Sequence, residues 1–333
     1  MRAWRSHRAG GPDTLVLDED VAHPVPKTGE VLVTVTAAAL NYPDLLLIQD
    51  LYQARPPRPF TPGSEIAGVV EAVGTGVQGF QVGDRVIGLL AHGGLAEKAI
   101  VAADDCALVP AGVDDASAAA LRVTYATSHY ALRDRAALKP GETLVVLGAA
   151  GGVGLAAVQL GKVMGAYVVA AASTPEKAAV ARENGADAVL VYPGALHQPT
   201  TAKALTAEIR AACPQGWADV IYDPVGGAYA EPAFRALGWN GRHLVVGFTA
   251  GIPKLPLNLT LLKGGGVLGV FYGDFARREP ALRQTYLDEI MAWLADGRIR
   301  PHIGMRLPLA RAREGLEALG ARQAMGKIVI NVS

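Results

Sequence analysis

Residues 143–154 read TLVVLGAAGGVG, and the last six, Ala149-Ala150-Gly151-Gly152-Val153-Gly154, keep the spacing G-x-G-x-x-G with alanine in the first place. A strand-like apolar run precedes them and the helix-like GLAAVQLGKVMG follows. In that setting Gly151 lets backbone approach a pyrophosphate and Gly154 lets helix and strand pack closely. The helix start, through Ala150, Gly152 and Val153, offers amide donors and a positive dipole end to phosphates. Glycine-rich turns also serve packing alone; the strand before and the helix after give this one its weight. It predicts a bound dinucleotide.

A second stretch bears on which dinucleotide. Residues 168–177 read VVAAASTPEK, a strand end, a turn and a helix start. A strand ending there usually carries an acid that accepts from the ribose hydroxyls of NAD. Here it offers Ser173 and Thr174, with Lys177 following. A hydroxyl can donate to a 2′-phosphate and a lysine can pair with it, whereas a carboxylate would repel it. A structural role competes: Ser173 or Thr174 is placed to cap the helix, Ser173-x-x-Glu176 has capping-box spacing, and Pro175 suits a first helical turn. Capping does not account for the missing acid, so the stretch predicts NADP(H) rather than NAD(H).

These residues need elements to hold them. From Glu142 strand-like and helix-like segments alternate: TLVVLGA, YVVAAAS, AVLVY, ADVIYD, RHLVVGF and VLGVFYG are six strand candidates. Strands separated by helix-length segments imply βαβ units, a parallel sheet and the doubly wound α/β fold. The first 110 or so residues differ. Runs such as EVLVTVTAAAL, EIAGVVEAVG, DRVIGLL and LAEKAIV, broken by Gly and Pro, predict a compact antiparallel β domain. Residues 143–161 carry no charge and are long enough to suggest a bilayer span, but the run breaks at glycines and reads as strand, turn and helix.

Composition excludes several classes. The chain has 333 residues with 31 basic and 31 acidic side chains, so no global field favours nucleic acid or an anionic membrane. Two cysteines, Cys106 and Cys213, have no metal-like spacing and point to a reducing, cytoplasmic setting. The opening MRAWRSHRAGGPD has no apolar run behind its arginines, and no secretory signal is expected.

Separate stretches now add up. AALNYPDLL, PFTPGSEIAGVVEAVG, VGDRV, GAAGGVGLAAVQL and the closing RxxxGKIV resemble the medium-chain dehydrogenase/reductase superfamily. Within it they most resemble the zinc-free, NADPH-dependent quinone oxidoreductases of the zeta-crystallin-like branch, over essentially the whole chain. The resemblance implies a GroES-like β-rich catalytic domain built from both chain ends, expected at 1–121 and 276–333, with a Rossmann cofactor domain at 122–275. Zinc-dependent relatives carry cysteine where this chain has Asn41 and histidine where it has Ser64. Glu65 remains without those partners, and the histidines show no ligand spacing, so no metal is expected.

The resemblance also assigns roles. It places Asn41, Tyr42 and Tyr52 in the cleft beside the nicotinamide, Tyr52 as a neutral hydrogen-bond or proton donor. Quinones and α,β-unsaturated carbonyls accept hydride without a Lewis acid because the product anion is delocalised, so neutral donors suffice. Asn41 and Tyr52 also have structural readings, as a turn cap and a loop anchor, and Asp44 is expected to order the first helix. Tyr192, ending the third strand, is assigned to the adenosine. Gly247, Phe248 and Thr249, ending the fifth strand, and Phe271 and Tyr272, ending the sixth, are assigned to the cofactor edge. Thr127 is assigned to the nicotinamide side and Arg322 to the phosphate.

The leading expectation is an NADPH-dependent reductase of quinones or related enones, acting on a small molecule. An enoyl-thioester reductase and a non-catalytic NADPH-binding protein remain alternatives. The Gly-rich KGGGVLGVFYG, at the sheet edge, suggests pairing across a two-fold axis into a homodimer.

Overall fold

The computed structural model describes residues 1–192, 196 and 199–332. They form two compact units, Met1–Val123 with Pro301–Ser333, and Thr124–Arg300.

The second unit is a six-stranded sheet in which every neighbouring pair is parallel. Counted from Thr143, its strands are Thr143–Val146, Tyr167–Ala172, Ala188–Val191, Ala218–Asp223, Leu237–Val245 and Gly266–Gly269. Their spatial order is third, second, first, fourth, fifth, sixth, the Rossmann order with its switch point beside the first strand. The run TLVV is buried on both faces, as a central parallel strand requires, so no alternation shows in its sequence. Gly152–Val163, Pro175–Glu183 and Pro199–Ala212 are the crossover helices after the first three strands. The uncharged 143–161 segment is thus strand, turn and helix, and no helix among the described residues is long and apolar enough to cross a membrane.

Two strands differ from the sequence expectation. The fifth begins earlier, at Leu237, and ends at Val245, so Gly247, Phe248 and Thr249 follow it rather than end it. The sixth stops at Gly269, and Phe271 precedes the short helix Tyr272–Arg278 rather than ending the strand. The long helix Pro280–Ala295 belongs to this unit.

The first unit joins both chain ends around a seven-stranded sheet. Glu30–Leu40 is its long central strand. It pairs antiparallel with Glu65–Val73 along most of its length, with Lys98–Ala102 near its start and with the C-terminal Lys327–Asn331 near its end. Register shifts after Leu32 and Val35 let one strand serve all three partners. The sheet is antiparallel throughout except where Ile303–Pro308 runs beside Lys327–Asn331. The pairing of Ile328 with Leu40 brings Lys327 to the end of the central strand, where the short helix Tyr42–Ile48 begins.

Candidate functional site

In the first unit, Asn41 is the N-cap of Tyr42–Ile48, with Pro43 in its first turn and Asp44 three residues on. The Asp44 carboxylate accepts from the Asn41 backbone N–H at 2.8 Å, so Asp44 does order the helix start. Burial pushes the Asp44 carboxyl up to about 6, against hydrogen bonds from Asn41 and Ser64 and the charge of Lys327.

The Asn41 side chain faces the other way. Its amide nitrogen donates to Glu65 Oε1 at 2.9 Å and lies 3.3 Å from the Ala39 carbonyl and 3.4 Å from Ser64 Oγ. Its oxygen accepts from Lys327 Nζ at 2.6 Å. Lys327 also donates to Glu65 Oε1 at 2.6 Å and to the Leu40 carbonyl at 3.0 Å, while Glu65 Oε2 accepts from Val123 N–H at 2.8 Å. Glu65 is 0% exposed and Lys327 4%. Both Asn41 amide hydrogens and its oxygen are thus engaged within a buried ion-pair network.

That network decides how the site stands towards a metal. Asn41 and Ser64 stand where the resemblance puts the cysteine and histidine of zinc-dependent relatives, and both lie beside Glu65. An ammonium ion already holds Glu65 Oε1 and Asn41 Oδ1, the oxygens a cation would need. Neither an amide nor a hydroxyl replaces a thiolate or imidazole as a zinc ligand. The residues do not fit zinc. Among the described residues no three His, Cys, Asp or Glu side chains group as metal ligands would; His197 lies outside them.

Tyr42 is partly exposed at the first helical position. Tyr52 lies in the loop beyond the helix, half-buried against the unit's hydrophobic core. Burial, and then the charge of Asp44, push its phenol above the usual range. Tyr52 therefore stays a neutral donor across the physiological range. Arg322 is exposed, with a left-handed backbone, in the turn between the helix Ala312–Gly320 and the strand Lys327–Asn331.

In the second unit, the phosphate turn carries its logic in backbone contacts. A Cβ on Gly154 would sit 2.3 Å from the Gly148 carbonyl, so only glycine lets the helix close on the turn. A Cβ on Gly151 would meet only the Gly148 carbonyl, at an ordinary contact of 3.4 Å, so packing within the chain does not by itself demand glycine there. The first intrahelical bond runs from Leu155 N–H to the Gly151 carbonyl at 2.8 Å. The amides of Gly152, Val153 and Gly154 are left at the open end of the helix. Ala150 is buried beneath them.

One turn further, Thr174 rather than Ser173 caps Pro175–Glu183: its hydroxyl accepts from Lys177 N–H at 3.3 Å. The same hydroxyl bonds Glu176 and lowers its carboxyl below the usual range. Ser173 is therefore outside the cap. It lines a cavity of about 440 Å³ with the buried Tyr192, which follows the third strand and packs its ring 5.0 Å from that of Tyr229. Lys177 lies in the first turn of the helix that starts beside this cavity.

The residues that follow the fifth strand are held by the end of the fourth and the turn after it. Gly247 N–H donates to the Asp223 carbonyl at 3.3 Å and Thr249 Oγ1 donates to that of Pro224 at 3.3 Å, while Phe248 projects outward. The Asp223 side chain accepts from Val225 and Gly226 N–H, both at 2.8 Å, and pairs with buried His243 at 3.1 Å, a strand-end structural role. Phe271 is exposed, and Tyr272 lies 6.4 Å from Tyr130, ring to ring. Thr127 is half-buried on the helix Arg122–His129.

Sequence reasoning passed over Lys327, at the centre of the buried network. The signal was present in GKIV: a lysine that opens a strand and is followed by three buried apolar residues requires a partner.

Comparison with known proteins agrees with this architecture. Residues 27–111 match the alcohol dehydrogenase GroES-like domain, and residues 152–289 match the zinc-binding dehydrogenase family. The chain is 35% identical over 320 residues to quinone oxidoreductase-like protein 2 of Bos taurus, covering 96% of this chain and 89% of that one. The quinone oxidoreductase of Thermus thermophilus, solved also as its complex with NADPH, superposes with a TM-score of 0.84 at 33% identity over 100% of both chains. The Escherichia coli quinone oxidoreductase complexed with NADPH gives 0.87 at 27% identity, again over 100% of both. Both family matches, the superposition on solved quinone oxidoreductases and relatives above 30% identity along nearly the full length leave one placement: this chain belongs to the medium-chain dehydrogenase/reductase superfamily, in its quinone oxidoreductase-like branch.

Proposed function

We propose that this chain is an NADPH-dependent oxidoreductase that passes hydride to quinones or related α,β-unsaturated carbonyl compounds without a metal. The observation that carries the reading is the pairing of an open phosphate turn with an acid-free second strand end. Gly151–Gly154 offer bare backbone and helix amides, and Ser173, outside the helix cap, faces a cavity with Tyr192. Those groups suit NADP(H), which the two quinone oxidoreductases above bind in their solved complexes. Bound NADPH supplies the hydride. The chain's task is to hold it, orient the acceptor and keep a neutral proton donor at the acceptor's oxygen.

Tyr52 is that donor in this reading, since Asn41 is engaged by Glu65 and Lys327. Thr127 is assigned to the nicotinamide side, Gly247, Phe248, Thr249, Phe271 and Tyr272 to the cofactor edge, Tyr42 to the cleft beside the nicotinamide and Arg322 to the phosphate. The test is NADPH oxidation against a panel of simple quinones, enones and crotonyl-CoA, with a chelator present. Turnover on quinones or enones, unchanged by chelation, is expected. Turnover on crotonyl-CoA alone would make the chain a thioester reductase, and none at all would leave only binding.

Cofactor preference gives a sharper check. Lys177→Ala should weaken NADPH by about tenfold to a hundredfold, the loss of one charge-assisted contact of roughly 1.5–3 kcal/mol, and leave NADH nearly unchanged. Ser173→Asp should narrow the preference further, since a carboxylate repels the phosphate and accepts from a free ribose hydroxyl. Dissociation constants of both cofactors decide it. Equal weakening by Lys177→Ala would place the lysine on a part the two share.

The assembly we propose is a homodimer through the sixth strand, in a reducing cytoplasm where the buried Cys106 and Cys213 stay as thiols. Gly266–Gly269 is an edge strand, and Leu257, Leu261 and Leu262 beside it are 75%, 80% and 68% exposed. Sedimentation velocity of the wild type, and of a variant with the three leucines changed to Ser, tests it. A monomeric wild type would exclude it.

A further inference from the structure

The cavity at Ser173 has a second wall. Strand ends supply one side, through Ser173, Val191 and Tyr192. The helix Pro199–Ala212 supplies the other through Thr201, Ala204, Leu205 and Glu208, spaced i, i+3, i+4 and i+7 on one helix face. Three of these four are apolar or neutral. Glu208 carries the only carboxylate among the described residues of the lining, and it makes no ion pair or side-chain hydrogen bond among them.

An acid is therefore absent from the second strand end in sequence yet present in the same cavity, contributed by a helix further along the chain. Its charge acts differently on the two cofactors. A 2′-phosphate held at Ser173 would carry close to two negative charges into a space of about 440 Å³ that already holds one. A free ribose hydroxyl would bring none and can donate to a carboxylate. Two like charges on the walls of one cavity repel, and salt screens that repulsion.

The structure assigns Glu208 as a specificity-determining residue that tempers the preference for NADPH over NADH, opposing Ser173 and Lys177. This rests on the proposed NADP(H) site. Glu208 is exposed on its helix and outside both hydrophobic cores, so its replacement spares the fold.

The test is dissociation constants for NADPH and NADH, by fluorescence titration at low and high salt, for wild type, Glu208→Gln and Glu208→Asp. Glu208→Gln should tighten NADPH by about threefold to tenfold while NADH holds or weakens slightly, and the gain should shrink with salt. Glu208→Asp, keeping the charge, should stay near wild type. An unchanged NADPH-to-NADH ratio in Glu208→Gln, or equal tightening of both cofactors, would overturn the assignment while leaving the NADP(H) site intact. A wild type that binds neither cofactor would overturn both.

Discussion

Lys327→Met is expected to cost the first unit about 3–5 kcal/mol, the typical penalty for leaving one member of a buried ion pair without its partner. The side chain is nearly isosteric, so packing changes little. What is lost is the ammonium that three oxygens share: Glu65 Oε1, Asn41 Oδ1 and the Leu40 carbonyl. Glu65, 0% exposed, would keep only the amides of Asn41 and Val123. Urea unfolding followed at Trp4, the single tryptophan of the first unit, reads that unit's stability. Removing both charges in Lys327→Met/Glu65→Leu should recover most of the loss, because an apolar pair of similar volume is often as stable as a buried salt bridge. A single-mutant cost below about 1 kcal/mol would show that water or a rearranged Asn41 takes the place of the ammonium.

Tyr52→Phe is expected to lower kcat/KM for a quinone or enone by about a hundredfold to a thousandfold, roughly 3 kcal/mol, the scale of one lost donor in an organised oxyanion site. NADPH affinity should hold, since the phenol acts on the acceptor. The ring stays and keeps its packing on the core, so stability should change little. Burial and the Asp44 charge both hold the phenol above its ordinary range, so Tyr52 should impose no fall in kcat/KM between about pH 6 and 9. Wild-type kinetics in the variant would return Tyr52 to a loop-anchoring role and leave the donor to be found elsewhere.

These two residues illustrate how differently a site is written in a chain. Tyr52 was available as a candidate because a resemblance pointed at it, and the structure adds the burial and neighbouring carboxyl that keep it protonated. Lys327 lies 262 positions from its partner Glu65, and nothing local in GKIV says which acid it will meet. The meeting depends on the C-terminal strand adding beside Glu30–Leu40 in one register, a choice made by the sheet as a whole. The capping residue shows the same limit at short range. Ser173 and Thr174 are both possible caps for one helix, and only the backbone path at Thr174 selects the second.

What the sequence determined by itself is what arises within a few residues: the alternation of strand and helix from Glu142 onward, the open phosphate turn, and the need for glycine at 154. Hydrophobic period, helix starts and backbone clearance are local quantities, and a reader of the chain has all their terms. Tertiary structure decided which distant charges share a space. Glu208 came into the Ser173 cavity because the third crossover helix packs back over its own strand end, and Lys327 came to Asn41 and Glu65 because the chain's end closes the β-rich sheet. Electrostatic energy depends on distance through space rather than along the chain, so a residue's most consequential partner is known only once the sheets have chosen their order.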